Sequence, residues 1–176
     1  MIISVEDAKK IIDFKGWSDE KVAMKLKAIE QTIRAYTNNN FQKRTHRMTA
    51  DIVGGLFLSD EDAIFKVGDI IQISESSLNL GLYSILSVSG NTFAVKEETH
   101  DERAVLVTKV EYPADVVQCA LNLLEWEINN RDKVGIQSET LSRHSVTYFA
   151  QDANNQVMGY PVSLLGCLKA YRKARC

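Results

Sequence analysis

The residues of this chain best suited to chemistry are three cysteines, Cys119, Cys167 and Cys176, and three histidines, His46, His100 and His144. A Cys–His pair becomes a nucleophile when the imidazole takes the thiol proton, which requires contact in space. None of these six residues lies in a motif that implies such contact. The cysteines are odd in number, sparse and far apart. That is a poor disulfide framework, and it has no zinc-ligand spacing. Cys119 and Cys167 sit in apolar helical patterns and read as small core residues. Cys176 ends the chain and reads as exposed.

Three further groupings invite a chemical reading. Val67-Gly68-Asp69 has too few glycines to cradle a phosphate and no strand–GxxxxGK–helix order. It reads as a turn, the glycine supplying the unusual dihedrals and the aspartate capping the backbone. The acidic cluster Glu97, Glu98, Asp101 and Glu102 lacks the alternating ligand positions of a calcium loop, and His100 interrupts it. It reads as a solvated loop. The segment "FQKRTHRM" holds Lys43, Arg44, His46 and Arg47, beside a β-rich region. Such a segment on a small barrel would track a phosphate backbone. The net charge of −2 lacks the basic excess of most nucleic-acid binders. No catalytic, cofactor-binding or metal-binding residue is expected, and the chain does not read as an enzyme.

The elements that carry these residues follow from the hydrophobic pattern. Ser4 and Asp7 resemble a capping box opening a short helix with Val5, Ala8, Ile11 and Ile12 on one face, stopped by Gly16. Ser18 starts a longer helix, with Asp19 and Glu20 where the helix dipole favours acids. Val22, Leu26, Ile29, Ile33 and Tyr36 form its apolar stripe, and Asn38 to Asn40 end it. From about Thr45 to Tyr112 the period changes. Short β-branched runs alternate with turn signals such as Gly68-Asp69 and Gly90-Asn91, predicting four or five strands in an SH3-like or OB-like barrel.

Helix returns at Pro113, where the missing amide of proline is tolerated. Val116, Val117, Ala120, Leu121, Leu123, Leu124 and Ile128 give this helix a wide apolar face. Pro161 starts a last helix with Val162, Leu164, Leu165 and Leu168 inward. Between these two lie β-prone runs from Gly135 to Leu141 and from Ser145 to Phe149, joined by Ser142-Arg143-His144. A lone hairpin is marginal in water, so another surface must hold it. The fold class expected is α+β. An α-helical bundle from 1–44 and 113–176 carries a small β-barrel inserted at 45–112, with a short β-hairpin between the last two helices.

The 176 residues, 45% of them hydrophobic, fit one medium domain or a domain with an insert. No apolar run would span a bilayer, and the start lacks the basic-then-apolar order of a signal peptide. A soluble protein kept in a reducing cytoplasm is expected.

The helices, insert and hairpin together resemble the head–tail connector, or head-completion adaptor, proteins of tailed bacteriophages. "ISVEDAKKII" and "IRAYTNNNF" look like that family's opening helix pair. "YPADVVQCALNLLEWEINNRDKVGIQSETLSRHSVTYF" looks like its central helix and following hairpin, and "VGDIIQISESSLNLGLYSILSV" like the β-insert of some members. The likeness covers most of the chain and rests on soft patterns. It implies a structural protein that forms a ring, typically dodecameric, at the portal vertex of the virion. The protein would be made in the bacterial host cytoplasm. Its partners would be the portal protein and a tail-side or stopper protein. DNA would pass through the lumen without sequence-specific binding, and no membrane would be involved.

In such a ring a neighbouring subunit or the portal would cover the hairpin edge. Arg131, Asp132, Arg143 and His144 are the polar candidates for that contact, and Ile136, Val146 and Tyr148 the apolar ones. The same three apolar residues would equally hold the hairpin on its own bundle. The alternative function is nucleic-acid binding through the barrel and the 43–47 basic segment.

Overall fold

The computed structural model describes residues 1–130 and 155–174, and the backbone of 138–141 and 144–147. The chain divides into two compact units, one of Met1 with Asn40–Tyr112 and one of Ile2–Asn39 with Pro113–Cys176.

The first unit is built of six antiparallel strands: β1 Gln42–Val53, β2 Leu56–Leu58, β3 Ile70–Glu75, β4 Gly81–Ser89, β5 Thr92–Val95 and β6 Glu102–Val110. They close in the order β1-β2-β5-β4-β3-β6, with β6 paired back onto β1. Closure leaves no strand edge unpaired within the barrel. Period-two alternation fills it. Ala50 and Ile52, Phe57, Ile71 and Ile73, Ile85, Phe93, Val105 and Val107 point inward and join Phe65 from the β2–β3 connection. Phe57 stacks on Phe93 at 4.7 Å between ring centroids, and Phe65 meets Phe93 edge-on at 5.3 Å. Burying each such ring stabilises the fold by about 1.5–3 kcal/mol.

Two glycine turns set the register. Gly54 and Gly55 both have positive φ, and the turn they form pairs Val53 with Leu56. Two successive positive-φ residues match the right-handed twist of a hairpin, and glycine adopts them without strain. Gly90-Asn91 joins Ser89 to Thr92 in the same two-residue way.

In the second unit, α1 Val5–Lys9 is capped by Ser4, whose hydroxyl accepts from the amide of Asp7. It ends at Lys9, earlier than Gly16, and Ile11 is exposed. α2 Asp19–Thr37 starts at the Ser18 cap and ends on Asn38 in the left-handed conformation, burying Val22, Leu26, Ile29 and Ile33. α3 Ala114–Asn130 buries Val116, Ala120, Leu121, Leu123, Leu124 and Ile128. Residues 162–171, expected as an α-helix, form a 3₁₀ helix that buries Leu165 and Leu168. Gly166 and the β-branched Val162 weaken its α-helical propensity. Among the described residues there are also two short antiparallel pairs. They are β7 Ser138–Leu141 with β8 His144–Thr147, and β9 Gln156–Val157 with β10 Tyr160–Pro161.

The expected α-helical bundle with a small inserted barrel is therefore corrected. The fold is mixed α/β and is dominated by the six-stranded antiparallel sheet. Among the described residues, only α2 with 19 residues and α3 with 17 are long α-helices. The expectation failed mainly at 42–58. Residues 42–51 carry charged and polar side chains between the inward positions, which masks the β alternation, and the apolar part of β2 is only three residues long. The stretch nevertheless supplies β2 and β1, which at 12 residues is the longest strand among the described residues.

Candidate assembly surfaces

Register places the β3–β4 loop, the β1–β2 turn and the β5–β6 loop at one end of the barrel. Glu102, the first residue of β6, organises that end. Its carboxylate accepts from the Ser76 hydroxyl at 2.5 Å, the Ser77 amide at 2.6 Å and the Asn79 side-chain amide at 2.8 Å. These bonds, led by that from Ser76, hold its pKa down to about 2, because each favours the ionised form. Asn79 is 1% exposed. Its side chain donates to the His100 carbonyl at 2.9 Å and accepts from the His100 amide at 2.7 Å. The loop is thus clamped through Ser76 and Asn79. On either side of Asn79, Leu78 and Leu80 remain 62% and 64% exposed.

The acidic cluster is therefore more than a solvated loop. Asp101 accepts from the Gly54 amide at 2.8 Å, and Glu97 accepts from the Ser84 amide at 2.8 Å. Together with Glu102 these carboxylates tie the β5–β6 connection to three other parts of the barrel. Sequence spacing missed this because the partners lie far off in the chain. The Ser76 and Asn79 side chains flanking Leu78 were the available signal, since both bond readily to loop backbone.

A second apolar feature runs across the outside of the barrel. Pairing aligns Val53 with Leu56, Leu56 with Ala94, and Ala94 with Ser87. Val53, Leu56 and Leu86 are exposed. Leu86 stands next to the end of that alignment, at the register shift between Ile85 and Ser87. Scattered exposed leucines need no explanation, but a row on paired strands is a surface suited to protein contact.

The basic segment lies on β1 with partners of its own. Lys43 pairs with Glu111 at 2.7 Å, and this cation lowers the carboxyl pKa. Arg47 donates through Nε to the Thr108 hydroxyl at 3.0 Å. His46 Nδ1 lies 3.1 Å from the Thr45 hydroxyl. Gly68-Asp69 is a turn, with Gly68 at φ 87° and Asp69 accepting from the Lys66 amide. Asp69 also pairs with Lys109 at 2.7 Å.

In the second unit Glu127 is buried on α3 and pairs with Lys25 at 3.3 Å. A recess walled by residues 9–17 carries three lysines. Lys9 pairs with Asp19, Lys10 with Asp7, and Lys15 donates to Asn129, so this cationic charge is already engaged. The 3₁₀ helix is tied down at its end. Tyr171 donates to Asp115, Lys173 donates its amide to the Thr37 carbonyl, and Asn38 donates to the Ala174 carbonyl.

Cys119 and Cys167 correct a further expectation. They are joined as a disulfide, with Cα atoms 6.5 Å apart across 48 residues of sequence. That separation lies in the range a bridge spans without backbone movement. Cys119 is buried as expected, whereas Cys167 is exposed.

Of the expected assembly residues, Arg131, Asp132, Ile136, Arg143 and Tyr148 lie outside the described residues. His144 and Val146 are described through their backbone alone, paired in register with Leu141 and Glu139. His144 belongs to β8 and not to the turn. Among the described residues no three His, Cys, Asp or Glu side chains gather as metal ligands, and no helix is long and apolar enough to cross a membrane. No protein-family model matches the chain, and no curated protein matches it.

Proposed function

We propose that the protein is a structural head–tail connector of a tailed phage or prophage, forming a ring at the portal vertex for head completion and tail joining. The observation that carries this reading is the pair of exposed apolar features on the barrel: the clamped Leu78–Leu80 tip and the outer row of Val53, Leu56 and Leu86. A ring subunit meets its two neighbours through two different surfaces. Apolar side chains held on fixed backbone suit that role, because little conformational freedom is lost on docking. The sequence likeness to the connector family adds to this.

On this reading the portal protein binds one side of the ring, a tail-side or stopper protein the other, and DNA passes through the lumen. The hairpin β7–β8 and its flanks contribute contacts through Arg131, Asp132, Ile136, Arg143, His144, Val146 and Tyr148. The alternative, nucleic-acid binding through the 43–47 segment, has less support because Lys43 is already neutralised by Glu111. The test is genetic. A phage or prophage lacking this chain is expected to accumulate heads that fail to join tails, and supplying the chain in trans to restore them. Normal yields of infectious particles without the chain would refute the reading.

A further inference from the structure

Two sulfurs from distant parts of the second unit meet, and their surroundings differ. Cys119 lies on the buried face of α3, 1% exposed. Cys167 lies on the 3₁₀ helix and is open to solvent. Both sulfurs sit 3.3 Å from the Leu164 carbonyl oxygen. A hydrogen-bond acceptor therefore lies beside both ends of the bridge, and only one of its two residues is open to solvent.

We propose that Cys119 and Cys167 form a reversible redox latch on the C-terminal segment, closed by a small-molecule disulfide of the glutathione class in a fixed order. The exposed Cys167 thiolate attacks one sulfur of the small disulfide. A mixed disulfide forms on Cys167, and one small thiolate leaves. The Cys119 sulfur attacks Cys167 Sγ, and the Cys119 thiol proton passes to the second small thiolate. The second small thiolate leaves, and the protein disulfide forms. The two protein thiols are oxidised by two electrons in all, and the small disulfide is reduced to two thiols.

The order follows from access, because thiol–disulfide exchange needs the attacking sulfur to reach its target. The buried Cys119 meets the oxidant only through Cys167. Non-covalent ties remain when the latch opens, since Tyr171, Lys173 and Asn38 hold the same segment. Opening loosens the segment without releasing it. The latch is independent of the connector reading, because it uses no assembly contact.

The experiment treats the full, reduced chain with glutathione disulfide and maps the products with trypsin. Cys119 falls in the peptide 110–131 and Cys167 in 144–169, while Cys176 is released alone after Arg175. The native chain is expected to give the linked pair of peptides. Cys119→Ser, or Cys119→Ala if serine in the core impairs folding, is expected to accumulate one glutathione on Cys167. Cys167→Ser is expected to leave Cys119 unmodified while the chain is folded. Reductant is expected to lower the melting midpoint of the native chain by roughly 5–10 °C and to leave both cysteine variants unchanged. Failure of the linked peptides to form would overturn the latch. Glutathione on Cys119 of folded Cys167→Ser, as fast as on Cys167 of the other variant, would overturn the order.

Discussion

Glu102 shows how much one carboxylate does at the end of the barrel. Its folded pKa of about 2 lies below the ordinary 4.5, so the unfolded chain binds its proton first as pH falls. The stabilisation is fully present above pH 4.5 and is lost as pH drops from there through about 2. We expect the melting midpoint of the native chain to fall across that window more steeply than that of Glu102→Gln. At pH 7 the variant is expected to melt lower, because a neutral amide is a weaker acceptor for the Ser76, Ser77 and Asn79 donors. Parallel midpoint-against-pH curves would show that Glu102 carries no such linkage.

At this scale the sequence was least legible. The residue types were visible, but Glu102 finds its partners more than 20 residues earlier, and Cys119 finds Cys167 across 48. Nothing in local spacing encodes such meetings. The reading of Gly68-Asp69 as a turn is matched by the structure because its bonds span three residues.

Elements were legible where the pattern was periodic and locally punctuated. Most of the apolar stripe of α2 and of the wide face of α3 could be read from spacing, Tyr36 and Val117 being only partly buried. β1 and β2 were missed because the outward positions of β1, such as Arg47, Thr49 and Asp51, hide its inward Ala50 and Ile52. Gly54-Gly55 was the overlooked signal. The barrel core makes a direct demand here. Phe93 touches both Phe57 and Phe65, so Phe93→Ala is expected to cost ~3–5 kcal/mol, read as a lowered denaturant midpoint with an unchanged slope. A cost below about 1 kcal/mol would mean the cluster is not the core of that unit.

The barrel should also stand alone. Gln42 pairs with Val110, and Phe41 packs against Tyr112 at 5.0 Å between ring centroids, so its two ends meet. A fragment of residues 40–112 is expected to unfold cooperatively with a β-sheet circular dichroism spectrum. Residues 1–39 joined to 113–176 by a short Gly/Ser linker are expected to keep their helical signal, since loop closure depends only weakly on length. Loss of cooperative unfolding in the fragment would make the two units interdependent.

At the scale of the whole molecule, the connector reading rests on surfaces. The proposal draws on two exposed apolar features of the barrel and on a two-stranded hairpin, which is marginal by itself in water. The most direct measurement of the proposal is native mass spectrometry of the chain with a portal protein encoded in the same genome, alongside the Arg143→Glu/His144→Glu variant. The account expects a portal-bound ring of one defined copy number. It expects the variant to bind at least tenfold more weakly, because an unpaired charge buried at a contact costs several kcal/mol. The melting midpoint of the variant should stay close to native, within about 0.5 kcal/mol of stability. A chain that ignores the portal at every concentration, but binds DNA with an affinity that falls steeply with salt, would contradict the account.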